Sequence, residues 1–258
     1  MPCTTRHSAI FSPAIIRLLS GRRGERTTRI HRTTTDLSAV SEVDLAYIST
    51  QTNVHEELIE HIAPLLRHGT WYLLRRAIFF TAFFLKHCPD NDLTIIEGER
   101  STIDCGVNDK NMVRVGFRNV CNPVGVYPVA NVERVRDMLA SMDFHYVFLP
   151  SVIEATLYNP NLRVHTVGAV TSIPRIEKPR RDYFMYWEVW TSSVYRILDA
   201  LDQEKMNVFE RFGYKRLNYF YACKDRNSLD DFIGTYAVFQ EYAASPYRAK
   251  GPAVVDSH

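Results

Sequence analysis

Residues 43–97 alternate between short apolar runs and amphipathic segments, and this alternation constrains the fold more than any other feature of the chain. Compact apolar runs predict three buried strands, at 43–49, 70–74 and 93–97. Apolar residues at helical spacing predict two intervening helices, at 55–66 and 78–87. Because strand–helix–strand units of this length cross over with a right hand, we expect the three strands to form a parallel sheet.

The pattern after residue 97 predicts more strands and then a change to helix. Further strands are expected at 112–117, 124–128 and 144–148, with a helix over 132–142 capped by Asn131. After Pro150 the spacing predicts helices at 183–201, 203–212 (capped by Asp202 and stopped by Gly213) and 228–244. The expected fold class is α/β followed by all-α, with a partial Rossmann-like parallel sheet preceding a helical domain. The corresponding domains are residues 41–150 and 151–258.

The first 40 residues differ from the rest, and we expect them to form a basic, disordered leader. Residues 1–35 contain seven arginines and one acid, so the remaining residues hold 24 of the 31 basic and 28 of the 29 acidic side chains. The body of the chain is therefore slightly acidic, which excludes a polyanion binder, and we expect no nucleic-acid partner. The Arg-, Ser- and Thr-rich leader also has the composition of an organelle transit peptide, so an organellar location stands as the alternative to a cytoplasmic one.

The cysteines and the apolar runs limit the class of protein further. Five cysteines without CxxC spacing favour reduced thiols inside a cell over a disulfide scaffold. The apolar run at 77–85 is too short to span a bilayer, so we expect no membrane partner. His55 and His61 are six residues apart, whereas a zinc-binding HExxH motif requires four, and we expect no metal.

The segment Asn159-Pro160-Asn161-Leu-Arg-Val-His165 carries the strongest chemical signal. Asn159 suits a helix N-cap and Pro160 suits the first helical position. A helix starting there puts Asn161 and His165 on one face, where an amide can orient a substrate and an imidazole can exchange a proton near neutral pH. The alternative is that His165 lies on an amphipathic helix and is satisfied by a backbone or water partner.

Two residues after the first predicted strand are candidates for contacts with a nucleotide. Asn53 and His55 follow residues 43–49 at the carboxyl end of the expected sheet, where ligands of such sheets bind. They would lie near a nicotinamide or a ribose. The alternative for His55 is a solvent-exposed residue at the start of a helix.

Together these motifs resemble the octopine/nopaline-type (opine) dehydrogenases over roughly residues 40–258. The resemblance rests on four segments: Asn53-Val-His55-Glu-Glu-Leu-Ile-Glu-His-Ile-Ala-Pro64, Ala155-Thr-Leu-Tyr-Asn159-Pro-Asn161-Leu-Arg-Val-His165, Leu198-Asp-Ala-Leu-Asp202-Gln-Glu, and Ser245-Pro with Lys250-Gly-Pro252. It implies a Rossmann-like domain joined to an opine-dehydrogenase-type helical domain, NAD or NADP as cofactor, and an amino acid and a 2-oxo acid as substrates. It also implies that His165 is the general acid/base and that Asn161 helps to place the substrate.

The chain departs from the family's pattern at four places. No GxGxxG follows an N-terminal strand, Arg75-Arg76-Ala77 replaces a Gly-rich turn, the arginine expected near Cys105-Gly106 is missing, and no segment with a partner acid follows Gly-Pro. We therefore expect a chain truncated at both ends, whose open sheet edge favours a homo-oligomer. Two alternatives stay open: a non-catalytic remnant or interaction module of this fold, and a related dehydrogenase of a 2-oxo or hydroxy acid.

Overall fold

A computed structural model describes most of the chain, namely residues 15–20, 24–67, 71–74, 79–89, 92–109, 112–178, 183 and 185–226. The chain divides into two compact units, with the boundary between Thr156 and Leu157. Among the described residues, no helix is both long enough and apolar enough to cross a membrane.

The first unit contains nine described strands and three complete α-helices. The strands are β1 (Ile15–Ser20), β2 (Gly24–Arg29), β3 (Leu45–Ile48), β4 (Trp71–Leu74), β5 (Thr94–Gly98), β6 (Ile103–Asp109), β7 (Met112–Arg118), β8 (Asn122–Tyr127) and β9 (Tyr146–Phe148). The helices are α1 (His55–Ile62), α2 (Phe80–His87) and α3 (Val132–Ala140), and α4 (Val152–Tyr158) runs across the unit boundary. Short 3-10 helices lie at Leu37–Glu42, Thr52–Val54, Ala63–Leu65 and Val129–Asn131.

A five-stranded sheet in the order β3-β4-β5-β8-β9 forms the centre of this unit. The first three strands are parallel, as the alternation of residues 43–97 predicts. Strand β8 is antiparallel to β5, and β9 is parallel to β8, so the sheet becomes mixed on that side. The predicted fold class, a partial Rossmann-like sheet followed by helices, is confirmed.

Strand β5 lies inside the sheet and is buried on both faces, since all five of its residues are buried. Ile95 packs in a cluster with Ile59 of α1 and Phe80 of α2, whereas Ile96 packs with Val135 of α3 on the other face. Burial of each such side chain contributes roughly 1.5–3 kcal/mol. A helix layer on each face is what a parallel sheet requires.

The expectation of a disordered leader over residues 1–40 is wrong for the described part of that segment. Strands β1 and β2 form an antiparallel hairpin, and β1 also pairs in parallel with β7. Together with β6 they form a second sheet in the order β2-β1-β7-β6. The arginine-rich composition obscured the apolar run Ile15-Ile16-Arg-Leu18-Leu19, whose backbone groups are paired on both sides. Strand β6 was also not predicted.

The second unit is helical, with α5 (Asn161–Ile176), α6 (Met185–Glu188), α7 (Ser192–Arg211) and α8 (Tyr219–Arg226). The single helix predicted at 183–201 is wrong, because it breaks after Glu188. Helix α7 begins at Ser192 and is capped by Thr191, whose hydroxyl accepts the N–H of Val194. The predicted cap Asp202 is instead buried in the middle of α7. Gly213 ends this segment with a φ of 75°, as expected. The helix predicted at 228–244 lies outside the described residues.

Gly125 of β8 yields a test of this packing. A Cβ at that position would overlap the backbone of Ser151 and Val152 at the start of α4, whereas a Cβ at Gly106 of β6 would meet nothing within 4 Å. We predict that Gly125→Ala lowers the free energy of unfolding by roughly 1–3 kcal/mol, because backbone cannot move aside cheaply. The control Gly106→Ala should stay within about 0.5 kcal/mol of the wild type. Urea denaturation measures both, and equal effects of the two substitutions would contradict the packing described here.

Candidate functional site

The start of α5 is built by the Asn159–Asn161 segment. Asn159 is buried, and its Oδ1 accepts the backbone N–H of Asn161 at 2.9 Å. The carbonyl of Pro160 accepts the N–H groups of Arg163 and Val164. The helix begins at Asn161, one residue later than expected, with Pro160 at the N-cap position and no side-chain cap there. Asn159 thus lies just before the cap and satisfies the N–H of the first helical residue.

Asn161 and His165 lie one turn apart on α5. His165 is exposed to solvent, and its ring meets the ring of Tyr186 edge-on at a centroid distance of 6.3 Å. The amide Nδ2 of Asn161 is buried and has no hydrogen-bond partner among the described residues. Because an unsatisfied buried donor costs about 1–3 kcal/mol, this amide is suited to donate to the oxygen of a bound molecule.

Arg163, between these two residues, anchors the helix from its buried side. It is 3% exposed, and its Nε lies 2.8 Å from Oδ1 of Asp202 on α7. Its Nη1 donates to the carbonyl of Leu157. The other oxygen of Asp202 accepts the N–H of Tyr219, the first residue of α8. One carboxylate thus joins α5, α7 and α8.

Lys205 gives the same carboxylate a second cation. It is 8% exposed, its Nζ lies 3.1 Å from Oδ1 of Asp202, and it also donates to the carbonyl of Leu217. Burial lowers the pKa of Lys205 to about 8, and the charge of Arg163 acts in the same direction against the attraction of Asp202. Two buried cations share one anion, and the lysine is the one that can release its proton.

The two residues proposed for nucleotide contact lie in different environments. His55 is 1% exposed, its Nε2 lies 3.1 Å from the carbonyl of Thr50, and its ring packs edge-on against Phe80. The ring is therefore neither open to a ligand nor in solvent, because α2 covers it. Asn53 is exposed in the 3-10 turn Thr52–Val54 that follows β3.

Sequence reasoning missed a buried glutamate at the carboxyl end of β5. Glu97 is 0% exposed, and one of its oxygens accepts the hydroxyl of Thr81 at 2.8 Å and the N–H of the same residue at 3.4 Å. Its other oxygen accepts the hydroxyl of Thr156. A carboxylate at the start of α2 is favoured by the helix dipole. In the sequence, the sign of this buried acid is that Glu97 directly follows the mostly apolar run Leu93-Thr-Ile-Ile.

The described residues do not fit the pyrophosphate of a dinucleotide. Helix α1 follows β3 through a 3-10 turn, and its N-cap Val54 makes no side-chain hydrogen bond. No glycine-rich turn joins a strand to a helix in the part of the chain that the structure covers, so no amide cradle for phosphates forms there. That same part also contains no group of three or more His, Cys, Asp or Glu side chains that could hold a metal ion.

Residues 148–257 match the family model described as NAD/NADP octopine/nopaline dehydrogenase, alpha-helical domain. The matched segment includes Asn161, His165 and Asp202. This match confirms the resemblance inferred from the motifs. A comparison with curated protein sequences finds no match.

Solved structures share the fold at low sequence identity. Yersinopine dehydrogenase aligns with a TM-score of 0.66 and 12% identity, over 89% of this chain and 62% of that one. Octopine dehydrogenase with NADH and L-arginine aligns with a TM-score of 0.66 and 13% identity, over 95% and 66%. A PanE/ApbA family ketopantoate reductase from Ralstonia eutropha JMP134 aligns with a TM-score of 0.57 and 14% identity, over 84% and 69%. The chain thus spans less than two thirds of the length of the first two proteins.

The buried lysine predicts a pH dependence of stability. Because folding lowers the pKa of Lys205 from 10.5 to about 8, the unfolded chain binds more protons between these values, and stability should rise with pH across this window. The destabilisation caused by burying the charged lysine is complete below pH 8 and lost above pH 10.5. It amounts to roughly 3 kcal/mol at most.

Denaturation from pH 7 to about pH 9.5, below the range where ordinary tyrosines ionise, measures this slope. Lys205→Met should flatten it, because the titrating group is gone. An equal slope in the wild type and in Lys205→Met would contradict the assignment.

Proposed function

We propose that this chain carries the substrate-handling part of an NAD- or NADP-dependent oxidoreductase of the opine dehydrogenase type, which reductively condenses an amino acid with a 2-oxo acid. The observation that carries the proposal is the first half of α5, where an exposed imidazole and an unsatisfied buried amide donor lie one turn apart. The match of residues 148–257 to the helical domain of octopine/nopaline dehydrogenases supports it. So do solved structures with the same fold, which contain NADH or NADP+.

The proposed roles follow from the chemistry of condensation. The amine nitrogen forms a bond to the 2-oxo carbon, and the carbonyl oxygen leaves as water after it has gained protons. Asn161 donates from Nδ2 to a substrate oxygen and holds the carbon in reach of the amine. His165 takes the proton from the attacking amine and returns it to the leaving oxygen, as a histidine general acid/base does. A bound nicotinamide cofactor would supply the hydride that completes the reduction.

Two other functions have specific support. The fold is also that of a ketopantoate reductase, which favours a related dehydrogenase that acts on a 2-oxo or hydroxy acid without an amine. The lack of a pyrophosphate cradle among the described residues favours a non-catalytic binding module. The three functions differ in whether cofactor binds and in whether an amine is required.

The proposal also covers the substrates, location and partners of the protein. We propose small-molecule substrates, a cytoplasmic location and a homo-oligomer, with neither nucleic acid nor membrane as partner. Support comes from the five cysteines, none of which has CxxC spacing, and from β3, which among the described strands pairs with β4 on one side only. Size-exclusion chromatography with light scattering measures the oligomeric state.

Cofactor titration separates the three functions. Nicotinamide fluorescence should saturate when NADH or NADPH is mixed with the purified chain, and oxidation should require both an amino acid and pyruvate. Oxidation with pyruvate alone would instead support the related dehydrogenase. Absence of binding at millimolar cofactor would rule out both enzymatic functions for this polypeptide.

Substitution of His165 tests the catalytic assignment. We predict that His165→Ala lowers kcat by roughly 10²–10⁴, the usual contribution of a proton-transfer group, while cofactor affinity stays nearly unchanged. His31→Ala, which removes an exposed imidazole from the first unit, serves as the matched control and should keep full activity. A kcat of His165→Ala within a factor of about 3 of the wild type lies outside this range and would refute the role.

A further inference from the structure

The short segment that precedes α7 packs along the helix that carries His165. It consists of Tyr183 and of the four residues of α6, Met185–Glu188, and it lies in the chain between α5 and α7. We call these residues, Tyr183 and Met185–Glu188, the α6 segment. The proposed chemistry assigns no role to them.

One face of α5 receives this segment. Four residues of the helix follow one another at intervals of three, four and three positions and therefore lie on a single face, namely His165, Gly168, Ser172 and Arg175. Asn161, four residues before His165, starts the same face. The two residues of the proposed chemistry thus occupy the first turns of this face.

Two polar contacts tie the α6 segment to the later turns of the same face. The hydroxyls of Ser172 and Tyr183 are both buried and share a hydrogen bond. The Nε of Arg175 donates to Oε2 of Glu188 at 2.9 Å, with side chains that are only 27% and 29% exposed. Solvent screens a partly buried ion pair less than an exposed one. The α6 segment is therefore held on α5 at both of its ends.

Gly168 allows the middle of the segment to come close. A Cβ at Gly168 would lie 2.7 Å from Sδ of Met185, so the methionine fills the space that a side chain on α5 would otherwise take. Met185 directly precedes Tyr186 in α6. The glycine thus brings α6 against α5 within one turn of His165.

This approach places the ring of Tyr186 beside the imidazole of His165. The ring centroids are 6.3 Å apart and the ring planes are inclined by 88°, which is the geometry of an attractive edge-to-face pair. Tyr186 is half-buried and packs against the cluster that contains Val164 and Tyr195, whereas His165 is exposed. The contact therefore restrains the histidine ring more than the tyrosine ring.

A histidine that transfers protons benefits from this restraint. An exposed side chain exchanges between staggered rotamers within nanoseconds, whereas proton transfer requires the two heavy atoms to be about 2.6–3.2 Å apart. An edge-to-face contact favours the rotamer that makes it by a factor of roughly 2–12. That factor is the gain in correctly oriented imidazole.

We propose that Tyr186 is a positioning residue, which holds the imidazole of His165 in one orientation on the helix face that it shares with Asn161. The inference rests on the proposed function only for its effect on turnover. The restraint of the ring follows from the contacts of the α6 segment alone.

NMR relaxation of the histidine rings tests the restraint in the full chain, without substrate or cofactor. In protein with ¹³C-labelled histidine, the signal of His165 is the one that His165→Ala removes. Tyr186→Leu should increase the amplitude of its ring motion, because the edge-to-face partner is lost. Tyr186→Phe keeps the ring and should leave the motion as in the wild type. If Tyr186→Leu does not fold by circular dichroism, Tyr186→Met takes its place.

Tyr214→Leu is the matched control. It removes another half-buried tyrosine of the same unit, one whose ring stacks on Phe212. The ring motion of His165 should stay as in the wild type in this variant.

Turnover supplies a second measurement. We predict that Tyr186→Leu lowers kcat by roughly 2- to 12-fold while the Kd of the cofactor stays unchanged, and that Tyr186→Phe keeps the kcat of the wild type. A purely structural role of Tyr186 would not lower kcat per folded molecule in a way that a phenyl ring alone restores.

Three outcomes of the relaxation measurement would overturn the inference. They are unchanged motion of His165 in Tyr186→Leu, equal increases in Tyr186→Leu and Tyr186→Phe, and equal increases in Tyr186→Leu and Tyr214→Leu. The outcomes for the proposed function are separate. Increased ring motion in Tyr186→Leu, in a chain without turnover, upholds the restraint and refutes the enzyme. Turnover that requires His165 but is equal in Tyr186→Leu and the wild type refutes the positioning role and upholds the enzyme.

Discussion

The buried carboxylate of Asp202 is the interaction on which the helical unit depends. It neutralises Arg163 of α5, lies within reach of Lys205 and accepts the first N–H of α8. Breaking such a buried ionic cluster by removing its anion leaves two cations without compensation. Arg163 lies between Asn161 and His165, so the same cluster sets the rotation of α5 and therefore which face those two side chains present. Both the stability of this unit and its proposed chemistry therefore depend on Asp202.

The first unit uses a second buried carboxylate in a comparable way. Glu97 joins the carboxyl end of β5 to the start of α2 and to Thr156 of α4, through hydroxyl and amide donors rather than through cations. Asp202 lies against two cations and Glu97 against neutral donors, so each buried carboxylate has partners that offset part of the cost of its burial.

The sequence predicts the helices and strands whose apolar residues recur with a clear helical or strand period. It misses the features that depend on residues far away in the sequence. The three parallel strands, α1, α3 and the start of α5 follow from apolar spacing and from Asn159, whose hydrogen bond to Asn161 is local. Asp202 has the chemistry of a cap, and only its pairing with Arg163, 39 positions away in sequence, shows that it is a buried ion instead. The hairpin of β1 and β2 depends on β7, almost a hundred residues later, and no local pattern contains that pairing. The burial of His55 likewise depends on Phe80.

The most direct test of the anchoring role of Asp202 is the free energy of unfolding of Asp202→Asn, measured by chemical denaturation at pH 7. Asparagine keeps the size of the side chain and removes the charge that holds Arg163 and Lys205. We predict a loss of about 3–5 kcal/mol, the usual effect of removing one partner from a buried ion pair. A loss below about 1 kcal/mol, as found for exposed pairs, would show that this carboxylate does not hold α5 in place.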